Sequence, residues 1–175
     1  MIYDKKIKKL SLYSILGALA LVLSLFESVL IPDLPFLPAG AKPGLSNIVT
    51  MFSAFFVSPL CAVYITAIKV LFAFITRGAT AALMSFFGGF LSTAALCFLI
   101  KLEGKNLSFI GIGVLCAFFH NAGQLSAACL ISGTFLLLNY GKYLVIFALI
   151  SGFLTGIILN LLKAKSEKIF KAFIF

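Results

Sequence analysis

From Leu10 to Ile31 the chain runs as one apolar stretch in which Glu27 is the single charged residue. Further stretches of the same kind follow at about 60–76, where only Lys69 is charged, and at about 79–100, 107–131 and 143–162, where no residue is. About 20 helical residues cross a bilayer core of about 30 Å, and uninterrupted apolar runs of this length are the strongest single constraint on the fold. Only 11% of the 175 residues are charged, against about 25% in a soluble domain. So few charges cannot cover a surface facing water, so the solvent around the folded chain is lipid. The expected class is an all-α integral membrane protein forming one domain over residues 1–175.

Six membrane helices are expected, at about 10–31, 45–57, 60–76, 79–100, 107–131 and 143–162, between basic ends at 1–9 and 163–175. The second is the exception in length. At 1.5 Å per residue it covers only about 20 Å, and the third is marginal. Before the second lies "IPDLPFLPAGAKPGLSN", residues 31–47, which holds four of the five prolines. Proline restricts the backbone, so this stretch reads as a stiff lid followed by the rim of a pocket. The positive end of the second helix would help to hold an anion there. No A-x-A site follows the first apolar run, which is long enough to span and is read as a helix rather than a cleaved signal.

The formal net charge of +9 invites a nucleic-acid reading, but the lysines gather at the ends, beside apolar segments. With a cytoplasmic N-terminus, Lys5, Lys6, Lys8, Lys9, Lys101, Lys105, Lys163, Lys165, Lys168 and Lys171 lie inside, and only Lys42, Arg77 and Lys142 lie outside. That satisfies the positive-inside rule. It predicts a multi-pass protein of a bacterial plasma membrane, both termini cytoplasmic, facing anionic lipid. The tail "KAKSEKIFKAFIF" reads equally as an interfacial helix or as an extension of the sixth segment. Cys61, Cys97, Cys116 and Cys129 sit inside apolar runs without metal spacing and read as packing residues. One histidine and five acidic residues make a poor metal site. No Walker sequence, cofactor motif or internal repeat is visible, and no enzyme is expected.

In such a chain the informative residues are polar ones at depth, because burying them in lipid is costly. Lys69 stands near the middle of the third segment and calls for a partner; Glu27 and an anionic ligand are the candidates. "HNAGQ" places His120 and Gln124 at i and i+4 and Asn121 and Gln124 at i and i+3, roughly on one face. Interhelical hydrogen bonding and ligand contact both account for them. Gly123 permits close approach of a helix or a ligand. Lys42 and Asn47 flank the start of the second helix, and Pro38, Gly40 and Gly44 shape the loop. Small residues including Ser14, Gly17 and Ala18 give the first segment a face suited to close helix contact, as "FFGGFLSTAA" does for the fourth.

The string "PAGAKPGLSNIVT", preceded by "LSLFES" and followed by "FFHNAGQL", resembles the Gx transporter family, whose members are often labelled heptaprenyl diphosphate synthase component I. The resemblance covers roughly residues 15–132. It departs at Lys69, where arginine is expected, and at Pro43, where an apolar residue is more usual. Lysine offers a point charge in place of a bidentate contact. The resemblance implies a likeness to the substrate-binding S-component of energy-coupling-factor transporters. That role would bring a small vitamin-like or anionic ligand from outside, with a flavin, another vitamin or a prenyl- or quinone-related molecule as candidates, a transmembrane T-component and ABC-type ATPases as partners, and docking through the face of Ser14 and Ala18. Glu27, Lys42, Asn47, Lys69, His120, Asn121 and Gln124 would line the ligand site.

The synthase label weighs differently. Polyprenyl diphosphate synthases hold magnesium with clustered aspartates, and this chain has two, Asp4 and Asp33, far apart in sequence. It would be a non-catalytic membrane subunit of prenyl diphosphate or quinone metabolism. A membrane component of a flavin-linked electron-transfer system is a third reading.

Overall fold

A computed structural model describes residues 2–30, 44–103 and 107–174. Within these, six α-helices follow one another: α1 (Ile2–Leu30), α2 (Asn47–Phe56), α3 (Pro59–Arg77), α4 (Ala79–Leu99), α5 (Phe109–Ser132) and α6 (Gly141–Ile174), with short 3-10 turns at Ile100–Leu102 and Leu136–Tyr140. Among the described residues there is no strand beyond an isolated bridge between Glu103 and Leu107. Five of the helices contain segments long and apolar enough to cross a membrane, and α2 is the one that does not. Its ten residues span about 15 Å, half the hydrocarbon thickness. The third segment, marginal by sequence, gains length at both ends and reaches 19 residues.

Local chemistry sets the helix ends. Ser58 caps α3, its hydroxyl accepting from Cys61 N at 3.2 Å, and Pro59 occupies the first turn, where its missing N–H costs nothing. Ser108 caps α5 in the same way through Gly111 N at 3.2 Å, and α5 stops at Gly133 in the left-handed conformation. Helix extends into both basic ends of the chain. The basic N-terminal end is part of α1, and α6 continues without a break to Ile174, because neither Pro nor Gly follows Gly156. Its 34 residues make about 50 Å of helix, more than a bilayer core needs.

The helices pack as successive antiparallel neighbours, most extensively α5 with α6 and with α4, then α3 with α4. Between α5 and α6 the backbones touch: a Cβ on Gly113 would run into the carbonyl of Gly152. At one end of the bundle Tyr13 and Ser58 share a 2.5 Å hydrogen bond, and Lys163 donates to Glu103 at 3.1 Å. At the other end α1 meets the start of α2. The largest core cluster joins Met51 and Ala54 of α2, Leu96 of α4, Ile112 and Cys116 of α5 and Leu159 of α6. The cysteines are free thiols, three of them buried. Outside this core the surface is inverted relative to a soluble protein: Ile75 is 81% exposed, and Leu130 and Leu161 are exposed as well. Such a belt is stable only against hydrocarbon, and the chain is a multi-pass membrane protein.

Candidate ligand-binding site

Several buried polar residues, among them Ser24, Glu27, Ser46, Lys69, His120 and Gln124, border one cavity where the end of α1 meets the start of α2. Glu27, on the last turn of α1, is only 1% exposed. Its Oε1 accepts from the backbone N–H groups of both Gly44 and Leu45, the latter at 3.1 Å. Gly44 is at φ +87°, a left-handed conformation that a side chain would strain. The turn then closes through Asn47 N to Gly44 O at 2.9 Å, and α2 begins. Ser46 makes no side-chain cap, so a carboxylate from another helix supplies the acceptor at this positive end. The anion that the sequence suggested for this helix terminus is therefore, at Gly44 and Leu45, the chain's own Glu27.

Asn47, the first residue of α2, reaches across to α3. Its Oδ1 accepts from Lys69 Nζ at 2.8 Å, and Lys69 is buried at mid-helix. Glu27 and Lys69 border the same cavity, while the hydrogen bond of Lys69 goes to Asn47. An ammonium has three donors, and Asn47 engages one.

On α5, His120 and Gln124 face α4 where that helix carries Gly88. A Cβ on Gly88 would stand 2.8 Å from Gln124 Cγ and 2.9 Å from His120 O, and one on Gly123 would strike the carbonyl of Phe87. This pair of glycines lets the α4 and α5 backbones close up and brings the imidazole over Gly88. On its other side the ring lies beside Gly44, 3.6 Å from where a Cβ would stand. His120 Nδ1 and Gln124 Oε1 are buried and have no hydrogen-bond partner among the described residues. A buried polar atom left unmatched costs about 1–3 kcal/mol, and here two of them stand on one face of α5.

They border a small polar cavity together with Ser24, Glu27, Gly44, Ser46, Lys69, Arg77, Ala81 and Ser85. Its volume is about 20 Å³, enough for one water or a group of a few atoms. Glu27, Gly44, Lys69, His120 and Gln124 are brought together here, with Asn47 one hydrogen bond away. Asn121 is not among the lining residues: its Nδ2 donates to Leu144 O on α6 at 2.8 Å, binding α5 to α6. Adjacent helical positions differ by about 100°, enough to separate it from His120. Ser14 and Ala18 lie on an exposed part of α1, where Ser14 Oγ bonds back to Leu10 O at 3.0 Å. Lys42, Pro38 and Gly40 lie outside the described residues. Ser24, Ser46 and Ser85 were not foreseen as lining residues. Ser24 had a signal, standing three positions before Glu27, whereas Ser85 depended on the rotation of α4.

A model of the family described as heptaprenyl diphosphate synthase component I matches residues 16–162. The chain belongs to this family. The matched span takes in nearly all of the membrane-crossing part and every described residue of the polar site, and it stops before the basic tail. No curated protein and no solved structure matches the chain.

Proposed function

We propose that this family member is the ligand-binding membrane subunit of an energy-coupling-factor-type transporter. The observation that carries the proposal is the polar cavity, where a buried lysine and two unpartnered acceptor-bearing side chains, His120 Nδ1 and Gln124 Oε1, converge. A purely structural network would satisfy its own members, since buried polar groups are hydrogen-bonded as a rule. Lys69 offers positive charge and Gln124 an acceptor, which suits a ligand with both an anionic or acceptor group and a hydrogen-bond donor.

In this reading the chain crosses a bacterial plasma membrane with both termini cytoplasmic. The cavity then lies toward the outer side, and α2 completes a six-helix bundle as a short sixth member. The exposed face of α1 carrying Ser14 and Ala18 would meet a T-component, and ABC-type ATPases would supply the energy. The subunit itself would catalyse no reaction. Native mass spectrometry of the purified chain tests this. A small molecule should be retained, and Lys69→Ala or His120→Ala should release it. A ligand-free protein in mild detergent, with uptake unchanged by either substitution, would sink the proposal.

The family's description favours a second reading, a non-catalytic membrane partner of a prenyl diphosphate synthase. With only Asp4 and Asp33, magnesium-dependent chemistry would belong to the partner. Addition of the purified chain should then raise long-chain prenyl diphosphate formation by a soluble synthase subunit; no rise removes this reading.

A further inference from the structure

The polar cavity is small, and its hydrogen bonding is incomplete in one direction. A volume of about 20 Å³ holds one water or a group of a few atoms, so the cavity takes the head of a ligand and not a whole molecule. His120 and Gln124 line it and are only 6% and 4% exposed. His120 Nδ1 and Gln124 Oε1 have no partner among the described residues. A neutral imidazole with its proton on Nε2 presents Nδ1 as an acceptor, and an amide oxygen is always one. What the cavity lacks is donors. Lys69 and Arg77 line it as well, against the single carboxylate of Glu27, whose Oε1 accepts from the N–H groups of Gly44 and Leu45.

These groups discriminate among polar heads. A carboxylate meets the two cations but has no donor, and it would set its lone pairs against Nδ1 and Oε1. An ammonium has donors but adds a third cation beside Lys69 and Arg77, and like charges at close range disfavour one another. A hydroxyl brings one donor to two acceptors. A primary carboxamide supplies two N–H donors and a carbonyl acceptor with no net charge. Two hydrogen bonds of about 2.9 Å diverging from one nitrogen reach acceptors about 5 Å apart, close to the spacing of an i, i+4 pair, about 5–6 Å between Cβ atoms. The carbonyl oxygen can then accept from Lys69, which gives one of its three donors to Asn47. We infer that the ligand carries an uncharged carboxamide head, its NH2 bridging His120 Nδ1 and Gln124 Oε1 and its oxygen on Lys69. This rests on the ligand-binding reading above and narrows it. Arg77, the last residue of α3, is a half-buried edge of the lining, and the body of the ligand leaves the cavity past it. The head displaces any water held there, and a group that does not reproduce that water's hydrogen bonds loses affinity.

The test uses the purified full chain in mild detergent and three probes of one shape: para-fluorobenzamide, para-fluorobenzoate and para-fluorobenzylamine. At neutral pH they are uncharged, anionic and cationic. Fluorine NMR reads their binding, with empty micelles as the blank. The benzamide should bind at least about tenfold more tightly than either of the others, the factor that one buried hydrogen bond makes. Gln124→Leu should weaken the benzamide by a similar factor and leave the benzoate unchanged. Gln124→Met, closer in shape, serves if the leucine variant folds poorly. Tightest binding by the benzoate or the benzylamine overturns the inference, as does benzamide binding that is indifferent to both variants. If the chain in that case retains a native small molecule that Lys69→Ala releases, the transporter proposal stands without the carboxamide. A chain that retains no small molecule and binds none of the three probes removes both readings.

Discussion

Lys69 Nζ donates to Asn47 Oδ1 at 2.8 Å, tying the middle of the third helix to the first residue of the second. The bond gives a buried cation a partner at depth and anchors a helix too short to cross the membrane by itself. Asn47→Ala is expected to lower stability by about 1–2 kcal/mol, the range between charge-assisted hydrogen bonds in water and side-chain bonds measured in membranes. Thermal unfolding in detergent reads this; an unchanged midpoint would show that the bond contributes nothing.

Glu27 accepts from two backbone N–H groups at the start of α2. Glu27→Ala leaves both donors without this acceptor, the one on Gly44 buried, and is expected to cost about 1–3 kcal/mol. Glu27→Gln keeps an acceptor and should cost clearly less, losing mainly the interaction with the helix terminus. Equal midpoints for the two variants would contradict this account.

Gln124 is predicted to separate stability from binding. Gln124→Leu removes an acceptor that has no partner among the described residues and fills similar volume, so the ligand-free protein should unfold at the same temperature or higher. Ligand retained through purification should be lost. A variant that unfolds earlier yet keeps its ligand would reverse the assignment.

Gly123 stands against the carbonyl of Phe87. Gly123→Ala forces α4 and α5 apart, an overpacking effect of about 1–3 kcal/mol, and should distort the His120 site as well. Thermal unfolding together with ligand retention reads it, and a variant normal in both would show that the helix pair has slack at this point.

Lys163 and Glu103 form the contrasting case. Their 3.1 Å ion pair joins side chains that are 45% and 27% exposed, and Lys163 also lies 5.1 Å from the centre of the Phe109 ring. Partly solvated pairs contribute about 0–1 kcal/mol, so Glu103→Gln should move the unfolding midpoint little and leave ligand retention intact. A large shift would mean that this end of the bundle is held more tightly than the exposure of the pair implies.

The amino-acid sequence by itself determined the solvent of this protein and most of its helices. Long apolar runs with almost no charge can be stable only in lipid, and the breaks at Ser58-Pro59, Gly78 and Gly133 coincide with observed helix ends because capping and left-handed turns are local events. The sequence also singled out Glu27, Lys69, His120 and Gln124, since a polar residue at depth stands out against an apolar background. The tertiary structure alone decided what each of them does. Glu27 serves a turn 17 residues away, Lys69 meets an asparagine 22 residues away, and Asn121 turns from its neighbour His120 to hold α6. In a soluble protein a polar and an apolar face reveal the rotation of each helix. Here lipid and core are both apolar, so that periodic signal is weak, and only the packing of one backbone on another sets which side chains converge.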